Sequence, residues 1–129
     1  MKKPKDYAVL LLHKAKQDAL LFDKLIDDHE ISDEILGFHI EQAIEKSLKC
    51  ILVFHSIPFR KTHDIRELLD LIHDNNIQLP EKFITIDEWT PYAVQYRYDD
   101  INTDTASFDR KNARVTMWDL IKWIDSYIG

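Results

Sequence analysis

The chain has one cysteine, Cys50, and two glycines, one of which is the last of its 129 residues. A lone cysteine excludes an intramolecular disulfide and a thiolate zinc site. A single interior glycine, Gly37, excludes the glycine-rich loop of a P-loop or a dinucleotide-binding fold. Proline occurs at four positions only (4, 58, 80 and 91). Long stretches are therefore free of helix breakers, whereas an all-β fold would need many more turn residues. No apolar run is long enough to span a membrane. The run that follows the basic start Met1 to Asp6 is broken by His13, Lys14 and Lys16, which also argues against a secretory signal. The cytoplasm is the expected compartment.

What remains is a helical composition. Hydrophobic residues make up 45% and charged residues 31% of the sequence, enough for a buried core under a solvated surface. The length fits one domain spanning 1–129. Segment one, from about Lys5 to Asp28, shows a broad apolar stripe (Val9, Leu12, Ala15, Ala19, with Leu11, Leu21, Phe22 and Leu25). Ser32 is a good cap for segment two, which runs to about His55 and is apolar on most faces, as a central helix would be. Thr62 or Asp64 caps segment three, which continues to about Asn75 with Ile65, Leu68, Leu69 and Ile72 on one face.

Pro80 fits the first turn of segment four, which restarts after Pro91 as Tyr92 to Tyr98. Asp99 to Thr105 reads as a loop. Segment five starts near Phe108, capped by Ser107 or Asp109, with Val115, Trp118, Ile121, Trp123, Ile124 and Ile128 as its apolar residues. The expected architecture is all-α: an up-and-down antiparallel bundle of about five helices.

The formal net charge is −6, so the chain as a whole is no electrostatic glue for nucleic acid. The charge is uneven, however. Lys46 to Arg66 holds five basic residues and one acid, a net +4, which leaves −10 for the rest. A basic island on an acidic body is either an anion site or a solvated face. Within segment two, Gln42, Glu45 and Lys49 share one helical stripe with Phe38 and Leu52. Polar groups set among core residues need partners from the protein or from a ligand.

The turn Arg60-Lys61-Thr62-His63 leads into a helix, where backbone N–H groups, a hydroxyl and cations could meet a phosphate. Equally, Thr62 could cap the helix and His63 pack on segment two. Arg97, between Tyr96 and Tyr98, would be held by stacking as either an ion-pair partner or a ligand clamp. A di-iron bundle would need Glu-x-x-His pairs, and the nearest approach is Asp70-x-x-His73. No metal site and no resident cofactor are expected. Cys50, in an apolar stretch, reads as a small buried hydrophobe.

Three segments in order carry a resemblance: Phe-His-x-x-Gln-Ala-x-Glu-Lys-x-Leu-Lys (Phe38 to Lys49), Lys-Thr-His-Asp-Ile-x-x-Leu-Leu (Lys61 to Leu69) and Tyr-x-Val-x-Tyr-Arg-Tyr (Tyr92 to Tyr98). Together they resemble the HEPN domain family (higher eukaryote and prokaryote nucleotide-binding) over about residues 7–125. The resemblance implies a helical bundle, usually a homodimer, with a polar groove. By matching position the groove residues are Gln42, Glu45, Lys46, Lys49, His63, Asp64, Arg97 and Tyr98. It implies a nucleotide or similar anion as ligand, and a minimal nucleotidyltransferase partner in a prokaryotic toxin–antitoxin-like pair.

Some members are metal-independent ribonucleases that carry Arg-x(4–6)-His at the dimer interface. Here the only such spacing is Arg66 to His73, on segment three rather than a later helix, with acidic Glu67 after the arginine. In that reading Arg66 would hold an RNA phosphate and His73 would act on a ribose hydroxyl. A third reading is a non-catalytic helical interaction protein whose polar stripe sets register.

Overall fold

The computed structural model describes residues 3–88 and 109–129. The stretch from Tyr92 to Tyr98 expected to continue segment four, the stretch expected to form a loop after it, and Trp89 lie outside those residues. Among the described residues there are five α-helices and one 3-10 turn, with no strand. They are α1 (Pro4–Leu25), α2 (Asp33–Phe54), α3 (Ile65–Asp74), α4 (Glu81–Ile84), the 3-10 turn Ile86–Glu88, and α5 (Arg110–Ile128).

Helix α1 starts with Pro4, while the Asp6 carboxylate accepts the Lys3 N–H at 2.9 Å. It buries Ala8, Leu12, Ala15, Ala19 and Phe22, a spacing of fours and threes that keeps one narrow face inward. Three of these five are alanines, so a neighbouring helix can approach closely. That neighbour is α2, started by Ser32, whose hydroxyl accepts the Ile35 N–H at 3.3 Å. The two run antiparallel: Cys50 near the end of α2 donates its S–H to the carbonyl of Ala8 near the start of α1, at 3.1 Å. Helix α5, capped by Asp109, lies antiparallel to α1, with Lys16–Asp125 at 3.3 Å and Asp23–Arg114 at 2.9 Å. It therefore runs parallel to α2. As expected for a central helix, α2 packs on α1, α3 and α5.

One arginine ties the start of α5 to the α1–α2 connection. Arg110 donates to Asp33 at 2.8 Å and to the carbonyls of Ile26 (3.0 Å), Asp28 (3.2 Å) and Ile31 (2.6 Å). Those carbonyls belong to a helix end and a loop, where backbone acceptors have no helical partner.

Helices α2 and α3 end alike. Ser56 and Asn76 take left-handed φ values of 56° and 61°. The next residues, Ile57 and Ile77, donate back to Leu52 (2.9 Å) and Ile72 (3.2 Å) and pack against the core. This is the Schellman stop, built without glycine.

Several sequence expectations need correction. Within the described residues segment four is a four-residue helix followed by the 3-10 turn, and Pro80 sits at its cap rather than inside its first turn. Val9, Leu21 and Val115 are exposed, because each lies roughly 100° or more around its helix from the inward line. In α5 that line is Ala113, Met117, Leu120, Ile121, Ile124 and Ile128. Trp118 and Trp123 are half-buried at its edges; the Trp118 indole N–H donates to Asp23 at 3.0 Å.

Cys50 is fully buried, and burial, followed by the charge of Asp125, pushes its thiol up to about 12. The folded state therefore holds a neutral thiol while an unfolded chain would ionise it at the ordinary value. That contribution to stability is intact below the unfolded value and is lost as pH rises from there through the folded value of about 12. Iodoacetamide at pH 8.5 should leave the native protein unlabelled and label Cys50 only at the rate of unfolding, read by mass spectrometry.

Candidate functional site

The turn between α2 and α3 is locked from inside. Thr62 is buried, and its hydroxyl accepts the Asp64 N–H at 3.0 Å. Asp64 in turn caps α3, accepting the N–H of Arg66 at 3.0 Å and of Glu67 at 3.4 Å. With Thr62 turned in, His63 is turned out along the flank of α2. There it meets Glu45, whose Oε1 and Oε2 lie 3.0 and 3.2 Å from His63 Nδ1. Lys49, one turn further along α2, donates to Glu45 Oε2 at 2.9 Å, and its ammonium lies 5.9 Å from the centre of the Phe59 ring.

Burial within this trio is uneven. Glu45 is 4% exposed, whereas the His63 side chain is 76% exposed. A carboxylate that far from water needs hydrogen-bond donors, and Lys49 and His63 supply them. Gln42 is half-buried one turn earlier and has no side-chain hydrogen bond among the described residues.

Other sequence candidates go elsewhere. Lys46 follows Glu45 by 100° of helix and faces α1, where it donates to Asp18 at 2.6 Å; His39 Nδ1 lies 3.4 Å from the same carboxylate. Asp64 is a helix cap, so the first N–H groups of α3 are taken and do not form an open phosphate cradle. Arg60 donates to Glu67 at 2.5 Å; this bond, with help from the Thr62 hydroxyl, holds the Glu67 carboxyl below its usual range. Of the turn's cations, Lys61 stays exposed with no ion pair among the described residues. Arg97 and Tyr98 lie outside the described residues.

Arg66 and His73 line one groove of about 610 Å³ between α3 and the chain from Asn76 to Ile84, floored by Leu69, Ile72 and Leu79. The Arg66 guanidinium is occupied. It pairs through two nitrogens with Asp87 and donates to the Ile84 carbonyl at 2.7 Å, which ties α3 to the 3-10 turn. The bonds to Asp87 push the guanidinium further up. His73 is 90% exposed, and the Asp74 carboxylate lies 3.6 Å from its Nδ1. Among the described residues no group of three or more His, Cys, Asp or Glu side chains could hold a metal ion.

Sequence reasoning missed Phe59 beside Lys49, the Asp18–His39–Lys46 cluster and Asp87 as the partner of Arg66. Only Phe59 left a signal: an aromatic residue in an otherwise basic turn.

A family model described as HEPN domain matches residues 8–124. The chain belongs to that family. No curated protein and no solved structure matches it.

Removing the acceptor at the centre of the trio should cost stability. Glu45→Ala leaves the Lys49 ammonium, 15% exposed, without its partner. The expected loss is about 1–3 kcal/mol in urea unfolding. His63→Ala, which leaves Glu45 the Lys49 ammonium as donor, should cost less than Glu45→Ala, about 1 kcal/mol.

Proposed function

We propose that this member of the HEPN domain family binds a phosphate-bearing ligand, a nucleotide in the first instance, at the junction of α2 with the turn before α3. The observation that carries the reading is the buried Glu45 carboxylate, shared by Lys49 of the same helix and His63 of the turn. A buried acid costs stability unless paired, and here the pairing holds an exposed imidazole outward beside Lys61, which has no ion pair among the described residues. Such an edge offers donors and positive charge on a rigid support. Gln42, with its amide uncommitted among the described residues, would add a neutral contact. Arg97 and Tyr98 join the site in this reading by their match to the family pattern. A homodimer, and a minimal nucleotidyltransferase partner in a toxin–antitoxin-like setting, are part of the same proposal and rest on the family alone. Among the described residues no helix is long and apolar enough to cross a membrane.

A second reading is a metal-independent ribonuclease. It is favoured by one observation, the shared groove of Arg66 and His73. For Arg66 to hold an RNA phosphate it would have to leave Asp87 and the Ile84 carbonyl.

ATP should raise the melting temperature by mass action, by several degrees at about a hundred times its dissociation constant. Lys61→Ala, which breaks no ion pair among the described residues, should reduce the rise, and Lys49→Ala and Arg97→Ala should abolish it. No shift with ATP or other nucleotides would overturn the binding reading. Purified protein incubated with RNA and a chelator tests the other: cleavage that is lost in His73→Ala establishes the ribonuclease, and intact RNA removes it.

A further inference from the structure

The Glu45–His63 contact fixes more than the position of the imidazole. A carboxylate this deeply buried accepts hydrogen bonds, and both its oxygens lie within 3.2 Å of Nδ1. Nδ1 therefore carries the hydrogen. In the neutral imidazole of that tautomer, Nε2 bears a lone pair, and the exposed side chain presents it to solvent. A lone pair repels an oxyanion. The same ring becomes a donor at Nε2 only on taking up a proton.

The charges around His63 can be set out element by element. From α2 come Glu45 and Lys49, joined at 2.9 Å, so that their charges largely cancel. From its own turn come Lys61 on one side and the capping carboxylate Asp64 on the other. Beyond these, Arg60 and Glu67 neutralise each other at 2.5 Å. An arriving phosphate adds an anion on the outer side of the ring: an imidazolium would then bridge two anions, Nδ1–H to Glu45 and Nε2–H to the ligand.

We propose that ligand binding at this site is coupled to protonation of His63, with Glu45 as the positioning residue that fixes the tautomer. The inference rests on the binding reading above and adds its regulation by pH. The proton comes from solvent and is taken up at Nε2; Nδ1–H stays on Glu45, and no bond of the ligand changes. Affinity for a phosphate therefore falls as pH rises, by up to about tenfold per unit of pH, because the proton must be found first.

The test is calorimetric, with ATP as the probe at pH 7.5 in two buffers of different ionisation heat. The difference in apparent enthalpy counts protons taken up. Wild-type protein should take up close to one proton more than His63→Asn, a comparison in which protonation of ATP itself cancels. Glu45→Gln, which cannot support an imidazolium with a charge, should take up less than wild type. Nitrogen-15 shifts of the His63 ring in the wild-type protein give a second readout: Nε2 should change from an unprotonated to a protonated shift when ATP is added. Equal uptake by wild type and His63→Asn, or an Nε2 shift that ATP leaves unprotonated, overturns proton coupling while the binding reading stands. Absence of any ATP binding by the wild-type protein overturns both.

Discussion

The structure depends on how closely α1 and α2 approach. The seam is lined by side chains too small to hold helices apart: Ala8, Ala15 and Ala19 on one side, Ala43, Ser47 and Cys50 on the other, all fully buried. Within it a thiol on α2 reaches the backbone of α1, at 3.1 Å. Ser47 does not disturb the contact, because its hydroxyl bonds back to the Ala43 carbonyl at 2.7 Å. With one flank of α2 against α1 and another covered by α5, only one edge of α2 is left for the turn that leads into α3. Glu45 lies on that edge. The placement of the candidate site therefore follows from the packing of alanines some distance away.

The same geometry divides the charged residues of α2. Neighbouring positions point 100° apart, so Glu45 and Lys46 serve different partners. Glu45 gathers Lys49 and His63, and Asp18 gathers Lys46 and His39. Each of these carboxylates thus holds an ammonium and an imidazole. A stretch that reads as one basic island splits in space into two neutralised clusters, with Lys61 projecting from one of them. Arg66, at the far end of the stretch, is drawn into a third pairing with Asp87. The positive charge that is left for a ligand is far smaller than the linear count of +4 suggests.

The sequence was most legible where local chemistry decides. Ser32, Asp64 and Asp109 cap helices because a short side-chain oxygen can reach the first free N–H groups, and all three were among the expected caps. The apolar face of α3 was readable for the same reason, since its period is strict. Legibility fell where a second element decides. Nothing near Arg66 in the chain points to Asp87, 21 residues away. A broad apolar stripe does not say which 100° of it will face a neighbour, so Val9 and Val115 were counted inward and are not. In the site, the meeting of Glu45 and His63 was foreshadowed by matching positions in a family pattern. The direction of Lys46 was not, because the pattern records which residues recur and not which way they face.

The two helix stops at Ser56 and Asn76 carry a broader consequence. Each forces an ordinary side chain into a left-handed backbone, a conformation that costs energy in the native state. Glycine would relieve that cost, yet it would widen the conformational freedom of the denatured chain. With glycine at two positions only, this polypeptide starts from a stiffer disordered ensemble and forfeits less entropy on collapse. Local strain at two corners is thus offset by what the chain never had to give up.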